Sequence, residues 1–243
     1  MAFLLTTIAG LSTMLGTIPI FIKLKNERKI IAGSLAFAAG VMICVSITDL
    51  VPESIMMLET KYNGCITVML AFTFIMIGMV SSSLVDKVLP DTTKNIPLYK
   101  VGIISMLAII LHNIPEGIAT FISTTKDTSL GISLTIAIAM HNIPEGISIS
   151  VPIYYATKSK GKALLYTLVS AMSEPLGAIL TYLFLLPFVN DILLGLLFAF
   201  IAGIMLQISF TELLPTSSNY HESRITKIFF VIGMIFMLLK FLI

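Results

Sequence analysis

Two identical seven-residue segments, HNIPEGI at 112–118 and again at 141–147, carry residue types suited to binding a cation. In each copy the His and the Glu are four residues apart and the Asn and the Glu three apart. On a helix, all three side chains therefore lie on one face. Imidazole suits zinc and iron, whereas carboxylate and amide oxygens suit harder ions such as Mn²⁺ or Fe²⁺. The mixed set favours divalent transition metals over Na⁺, K⁺ or Mg²⁺.

The spacing predicts how the ligands are shared. His112 with Glu116 could hold one cation, and Asn113 with Glu116 a neighbouring one. If the two helical faces oppose each other, the glutamates of both copies are placed to bridge two ions. The six candidate ligands from the two copies are His112, Asn113, Glu116, His141, Asn142 and Glu145. A further Glu beside a Pro, Glu174, lies in another apolar segment and is a candidate fifth or sixth ligand.

The elements that position these residues must be membrane helices. The chain has 243 residues, of which 57% are hydrophobic and 12% charged, with a mean hydropathy of +1.01. Soluble domains carry about 25% charged residues, so half of the expected charge is missing. This excludes a disordered chain, a coiled coil and an ordinary cytosolic enzyme. With a net charge of +2 and so few charges, no basic face for nucleic acid is expected.

The sequence predicts an all-α polytopic membrane protein, with one transmembrane domain over residues 1–243. Polar segments separate eight apolar spans, each close to the roughly 20 residues that cross a bilayer. The predicted spans are 2–22, 31–52, 65–85, 99–123, 129–155, 162–183, 192–214 and 225–243. The first is not a cleavable signal peptide, because it lacks a basic leader and a basic cluster follows it directly.

Basic residues predict the orientation. Twelve of the fifteen Lys and Arg residues fall in the loops after spans 1, 3, 5 and 7 or at their edges. Only Lys61, Lys126 and Lys240 fall on the other side. By the positive-inside rule, both termini are predicted to lie outside the cytoplasm.

A second internal repeat relates spans 2 and 7. FAAGVMICVSITDLVPES at 37–54 aligns without gaps on FIAGIMLQISFTELLPTS at 200–217, with nine identities in 18 positions. The two spans run in opposite directions, as do the spans that carry HNIPEGI. Inverted repeats are typical of transporters whose substrate site lies near the membrane midplane.

Six acidic residues lie within or at the ends of the spans, and no Lys or Arg lies there to pair with them. They are Asp49, Glu53, Glu116, Glu145, Glu174 and Glu212. Carboxylates at this depth normally mark an ion pathway. Asp49 and Glu53, near the outer end of span 2, could be a solvated helix end or an entrance for cations. The same two interpretations hold for Glu212 at the inner end of span 7.

The paired HNIPEG motif in an eight-span chain resembles the ZIP family of divalent-metal transporters, and in particular its bacterial ZupT-like branch. The resemblance covers essentially the whole chain and implies a binuclear site on spans 4, 5 and 6. One metal position would take Glu116, His141 and Glu145, with His112 close by. The other position would take the set Asn113, Glu116, Asn142, Glu145 and Glu174. Met42 on span 2 matches a position that contacts the first metal in some relatives.

The predicted function is import of divalent transition metals into the cytoplasm across the cell membrane. Zinc and iron(II), with manganese or cobalt, are the expected substrates, and no cofactor and no nucleic-acid partner are expected. The predicted partners are divalent metal ions and the lipid bilayer, with a homodimer compatible with the sequence. Two alternatives remain open: an intramembrane metalloenzyme, although no HExxH motif is present, and a proton or monovalent-cation channel, which leaves both HNIPEG histidines unexplained. Exchange of either HNIPEG Asn for Asp is predicted to tighten metal binding.

Overall fold

The computed structural model describes residues 1–22, 26–88, 97–185, 187–188 and 190–239, with the backbone alone for 85–88 and 97. All regular elements in these ranges are helical. Of the basic residues that predict the orientation, Lys23, Lys25, Lys94, Lys240 and the Lys87 side chain lie outside the described part.

Eight helices, numbered in chain order, occupy the described ranges. They are α1 Ala2–Phe21, α2 Glu27–Glu59, α3 Gly64–Val88, α4 Pro97–Lys126, α5 Thr128–Thr157, α6 Lys160–Leu185, α7 Asp191–Ser218 and α8 Ser223–Leu238. Within the described residues, seven helices are long and apolar enough to cross a membrane. The remaining helix, α8, has 16 residues, and 240–243 of its predicted span lie outside the described part. The helices define a multi-pass membrane protein.

The segments after predicted spans 2 and 4 were expected to be loops, but both are partly helical. Helix α2 continues to Glu59 instead of ending near residue 52, because Leu58 is fully buried against Ala71 and Ala199. Helix α4 continues to Lys126, and the Asp127 side chain caps α5 by accepting backbone hydrogen bonds at 2.7 and 3.3 Å. The connection between α4 and α5 is therefore very short, which makes the two helices antiparallel neighbours.

Helices α2 and α7 each contain one wider, π-helical turn at matching positions of the aligned repeat. The turns are Ser46–Leu50 and Ser209–Leu213. In both, the residue after the turn donates its backbone N–H to the carbonyl five residues back, from Val51 to Ser46 and from Leu214 to Ser209. A proline follows each turn by two residues and cannot continue the usual ladder. Such turns often lie at functional sites.

Glycines let the same two helices approach a neighbour at backbone distance. On α2, Gly40 packs on the carbonyl of Phe230 in α8, and Gly233 of α8 packs on the carbonyl of Phe37. The α3–α7 contact has the same reciprocal form: Gly78 packs on the carbonyl of Phe200, and Gly203 packs on the carbonyl of Ile75. A methyl group at any of these glycines would overlap the facing oxygen, so the contacts hold α2 to α8 and α3 to α7.

The apolar core lies where α2, α4, α5 and α7 meet. Its fully buried side chains include Leu35, Ile104, Ile149 and Ile204, one from each helix. Helix α3, by contrast, exposes a row of apolar side chains such as Phe72 and Val80, as expected for a lipid-facing helix. The polar residues shared by the two HNIPEGI copies are therefore surrounded by packed apolar helices.

Candidate metal centre

The two HNIPEGI copies lie near the middle of α4 and α5, each 30 residues long. At 1.5 Å per residue such a helix is about 45 Å long, which places both motifs near the bilayer midplane. The predicted ligands are all buried, with exposed fractions between 0% and 7%. Buried imidazole, amide and carboxylate groups at this depth require polar partners, so their contacts decide what the site can do.

The histidines pair with glutamates of the opposite helix. His112 Nε2 lies 2.8 Å from Glu145 Oε1, and His141 Nε2 lies 3.1 Å from Glu116 Oε1. The sequence placed each His beside the Glu of its own copy, but the hydrogen bonds cross between the helices. Antiparallel packing explains this, because it sets the start of one motif against the end of the other. The two helical faces therefore oppose each other, and two His–Glu pairs cross between them.

Helix α6 adds Glu174 to this cluster. The helix covers the predicted span 162–183, with one irregular turn at Met172. Glu174 lies just after this turn, fully buried, and accepts a hydrogen bond from Asn142 Nδ2. It also lies within electrostatic reach of Glu116 and Glu145. The structure thus brings together the glutamates of α4, α5 and α6.

Close glycine contacts fix α6 and α1 beside the two motifs. Gly117 packs on the carbonyl of Glu174, and Gly177 of α6 packs on the carbonyl of Ile114. On the other side, Gly146 packs on the carbonyl of Thr13 in α1, and Gly16 packs on the carbonyl of Ile143. The glycine of the first motif, Gly117, therefore contacts α6, and the glycine of the second motif, Gly146, contacts α1.

Helix α1 contributes to the centre in a way that the sequence reasoning missed. The Ala9 carbonyl accepts a 2.9 Å hydrogen bond from Asn142 Nδ2. A further α1 carbonyl, that of Gly16, accepts a 2.8 Å bond from Ser150. The available signal was the pair of glycines in an otherwise apolar first span, which permits close helix approach.

Several buried oxygen atoms of the centre have no hydrogen-bond partner among the described residues. They are Asn113 Oδ1, Glu116 Oε2, Asn142 Oδ1, Glu145 Oε2 and Glu174 Oε2. Buried acceptors are normally satisfied in proteins. Five unpartnered oxygens beside two imidazoles form a donor set that a divalent cation would satisfy.

The side chains are not yet arranged around a common point. Among the described residues, no three His, Cys, Asp or Glu side chains converge as a metal cluster would require. The imidazoles and one oxygen of each facing glutamate bond to each other instead. Metal binding would therefore replace the two His–Glu hydrogen bonds with bonds to the ion.

The remaining predicted ligands differ in how they are held. Asn113 is fully buried, and neither atom of its amide has a hydrogen-bond partner in the described part of the chain. Met42 is buried in the apolar core, and its backbone carbonyl accepts a 2.8 Å hydrogen bond from Ser46. Val45, less than one turn further along α2, lines the cavity described next.

A cavity of about 300 Å³ leads from one end of the helices to this centre. Its polar lining consists of Thr48, Asp49, Glu53, Glu116, Ser123 and His141. Glu53 lies near the end of α2 and Ser123 near the end of α4, on the side of the short α4–α5 connection. The cavity therefore joins the acidic end of α2 to the buried Glu116–His141 pair.

Fold and site together define a class: multi-pass helical membrane proteins with a cluster of His, Asn and Glu buried at mid-depth. Residues 90–240 match the family described as "ZIP Zinc transporter". The chain belongs to the ZIP family and is similar to its ZupT members.

The similarity to individual relatives covers nearly the full length of both chains. The "Zinc transporter ZupT" of Clostridium perfringens is 41% identical, over 100% of this chain and 95% of that protein. The protein of the same name in Streptococcus mutans is 39% identical, over 99% and 96%. That of Campylobacter jejuni is 38% identical, over 98% and 94%.

Proposed function

We propose that this chain imports Zn²⁺ into the cytoplasm across the cell membrane, as a single transmembrane transporter domain. The observation that carries the proposal is the buried cluster of two crossed His–Glu pairs with unpartnered carboxylate oxygens. Such a cluster is costly in a membrane unless a cation uses it. The relatives are zinc transporters by name, which supports zinc as the substrate.

The ligands divide into two neighbouring metal positions. The first takes Glu116, His141 and Glu145, with His112 close by. The second takes the oxygen-rich set Asn113, Glu116, Asn142, Glu145 and Glu174. Each shared glutamate has one oxygen on a histidine and one unpartnered, and this arrangement supports a bridging role. Met42, which is buried in the core of α2, completes the first position as a further ligand.

The donor set supports a range of ions beyond zinc. Imidazole and carboxylate together bind Fe²⁺, Mn²⁺ and Co²⁺ as well, since affinity within one N/O site varies with the metal but excludes none of them. We therefore expect iron(II), manganese and cobalt to be transported or to compete with zinc. The metal is the substrate here and not a resident cofactor.

Transport needs the centre to face the two sides of the membrane in turn. The reciprocal glycine contacts support two groups of helices. In the first group, α1 is held to α5 and α4 is held to α6. In the second group, α2 is held to α8 and α3 is held to α7. The matching wide turns in α2 and α7 support the inverted-repeat relation. We infer that the group α1, α4, α5 and α6 moves against the other group. The distribution of basic residues along the sequence supports an orientation with the cavity entrance, and both termini, outside the cytoplasm.

The proposal is tested by uptake of radiolabelled Zn²⁺ into proteoliposomes. The natural chain should show saturable uptake, and the isosteric Glu145→Gln variant should lose it. Glu59→Gln, which removes an exposed carboxylate at the end of α2, is the matched control and should keep full uptake. Equal uptake by the natural chain and Glu145→Gln would refute the assigned path. A current carried by protons or Na⁺ without added metal would favour the channel alternative.

A further inference from the structure

A second cavity lies at the other end of α2, between that helix, α1 and α8. Its volume is about 460 Å³, and small-molecule sites in proteins have about 300–1,000 Å³. The end of α1 contributes Pro19 and Ile22 to its wall, and the start of α8 contributes Ile225 and Phe229. Since Ile22 and Phe229 are 51% and 39% exposed, the cavity opens on the outer surface of the helices, which faces lipid.

The third wall of this cavity is one face of the beginning of α2. Its residues are three or four positions apart and therefore share that face; they are Asn26, Lys29, Ile30, Gly33 and Ser34. Lys29 is the one charged side chain among the described residues of the wall. Neither its ammonium nor the Ser34 hydroxyl has a hydrogen-bond or ion-pair partner in the described part of the chain. Ser34 follows Lys29 by five residues, so it lies about 7.5 Å deeper along the helix axis.

Acidic residues near this cavity do not neutralise Lys29. Glu27 pairs instead with Lys158, whose Nζ lies 2.8 Å from Glu27 Oε2. Glu222, the N-cap residue of α8, is not part of the wall. Residues 23–25 read KLK in the sequence and supply no carboxylate. The uncompensated positive charge excludes a metal cation as the ligand of this cavity and favours an anion.

The depth of the charged and apolar groups indicates which kind of anion fits. Lys29 precedes the predicted span 31–52 by two residues, which places its ammonium at the level of the lipid head groups. Pro19, Ile225 and Phe229 belong to predicted spans and lie at the edge of the hydrocarbon region. Basic pockets between membrane helices bind anionic lipid head groups in this way. A free phosphate ion would leave the apolar walls uncovered, and a symmetric second copy would bring its own basic end against Lys29, which is repulsive.

We propose that this cavity binds one anionic phospholipid, with its phosphate at Lys29, its ester groups at Ser34 and an acyl chain against Phe229. The lipid then contacts α1, which belongs to one of the two helix groups, and α2 and α8, which belong to the other. It therefore stabilises the arrangement in which the cavity beside Glu116 is open. Binding at this site does not require zinc to be the substrate, and so goes beyond the proposed function.

Fluorescence quenching by brominated lipids tests the site directly, because the chain contains no Trp and one introduced Trp reports its own surroundings. Phe229→Trp is reconstituted in phosphatidylcholine with brominated phosphatidylglycerol or with brominated phosphatidylcholine. The anionic lipid should quench it at about fivefold lower mole fraction, the preference expected for one Lys–phosphate contact. Phe72→Trp, on the exposed face of α3, is the matched control and should respond equally to both lipids.

Charge variants in the Phe229→Trp background separate a site from general attraction to a basic surface. Lys29→Gln should abolish the preference for phosphatidylglycerol, and Lys29→Arg should retain it. Lys227→Gln removes an exposed charge of α8 that is not part of the wall and should also retain it. In detergent, added phosphatidylglycerol should raise the melting temperature of the natural chain and of Lys227→Gln but not of Lys29→Gln, because a ligand stabilises the state that binds it. Glycerol phosphate, which has the anionic head without a tail, should raise none of them.

Three results would overturn the lipid site. The first is equal quenching of Phe229→Trp by the two brominated lipids, and the second is a preference that persists in Lys29→Gln. The third is an equal loss of preference in Lys29→Gln and Lys227→Gln, which would indicate diffuse attraction only. Quenching by neither lipid would show that another protein surface covers the cavity, and would also refute the site. Retained Zn²⁺ uptake in Glu145→Gln would refute the proposed function and leave the lipid site standing.

Discussion

In the first HNIPEGI copy, Glu116 lines a cavity and the Asn113 amide has no hydrogen-bond partner in the described part of the chain. In the second copy, Glu145 is fully buried, and Asn142 donates to Glu174 and to the Ala9 carbonyl. Seven identical residues therefore have two different environments. The difference comes from the helices packed around them: the cavity beside α2 reaches Glu116 but not Glu145, whereas α1 contacts the second copy and α6 contacts both. The two identical glutamates therefore differ in their access to the cavity.

Cysteine accessibility gives the largest expected contrast between the copies. In a Cys65→Ser background, which removes the exposed cysteine and leaves Cys44 buried, Glu116→Cys and Glu145→Cys should both abolish Zn²⁺ uptake. A membrane-impermeant thiosulfonate should modify the first more than about tenfold faster, because thiol reactivity follows exposure. Rates are measured by mass spectrometry on proteoliposomes. Equal rates at the two positions would contradict the cavity-facing role of the first copy.

Substitution of the two motif glycines by Ala should affect stability in both cases but zinc binding in only one. Gly117→Ala and Gly146→Ala both place a methyl group on a facing carbonyl, and each should cost about 1–3 kcal/mol of stability, as overpacking does. Only Gly117→Ala pushes directly on the backbone of Glu174, so only this variant should also weaken zinc binding. Thermal unfolding in detergent and equilibrium dialysis measure the two effects.

A matched control for the glycine variants lies in the first turn of α6. Gly161 has open space around its Cα, with the nearest atom 3.9 Å from an added methyl. Gly161→Ala should therefore leave both the melting temperature and zinc binding at or slightly above the natural values. A loss as large as that of Gly117→Ala would show that the close contacts are not the cause.

The two asparagines should respond differently to exchange for Asp, although the motif alone predicts the same response. Asn113→Asp adds a carboxylate where no hydrogen bond is lost, and zinc affinity should rise by about tenfold, equivalent to about 1.4 kcal/mol. Asn142→Asp sets a carboxylate against Glu174 in place of an N–H donor and should lower the melting temperature of the metal-free protein. Calorimetric zinc titration measures the affinity of each variant, and thermal unfolding measures its melting temperature. Equal changes in affinity and in melting temperature for the two variants would remove the distinction between the copies.

The smallest effect is expected at the far end of α5. Lys158 Nζ lies 2.8 Å from Glu27 Oε2, with both side chains more than half exposed at 58% and 60%. Exposed pairs contribute about 0–1 kcal/mol, so Lys158→Ala should change the melting temperature very little. A large loss of stability or of uptake would mean that this contact between α2 and α5 controls the movement of the helix groups.

The membrane class followed from composition and spacing. Apolar segments of fixed length are required by the bilayer thickness, and within the described residues each predicted span overlaps a helix, seven of them long and apolar enough to cross a membrane. The extension of α2 to Glu59 was not predictable in the same way. It depends on the packing of Leu58 against Ala199, and hydropathy carries no information on partners.

The sequence by itself determined which polar side chains share a helical face, since His and Glu are four residues apart in each motif. It also determined the relation between α2 and α7, because aligned residues form matching turns at Ser46 and Ser209. Only the tertiary structure decided which His meets which Glu, that Ala9 of α1 supports Asn142, and that Glu116 rather than Glu145 lies beside the cavity. The physical reason is that local spacing defines a face of a helix, whereas antiparallel packing and close backbone contacts decide what that face meets.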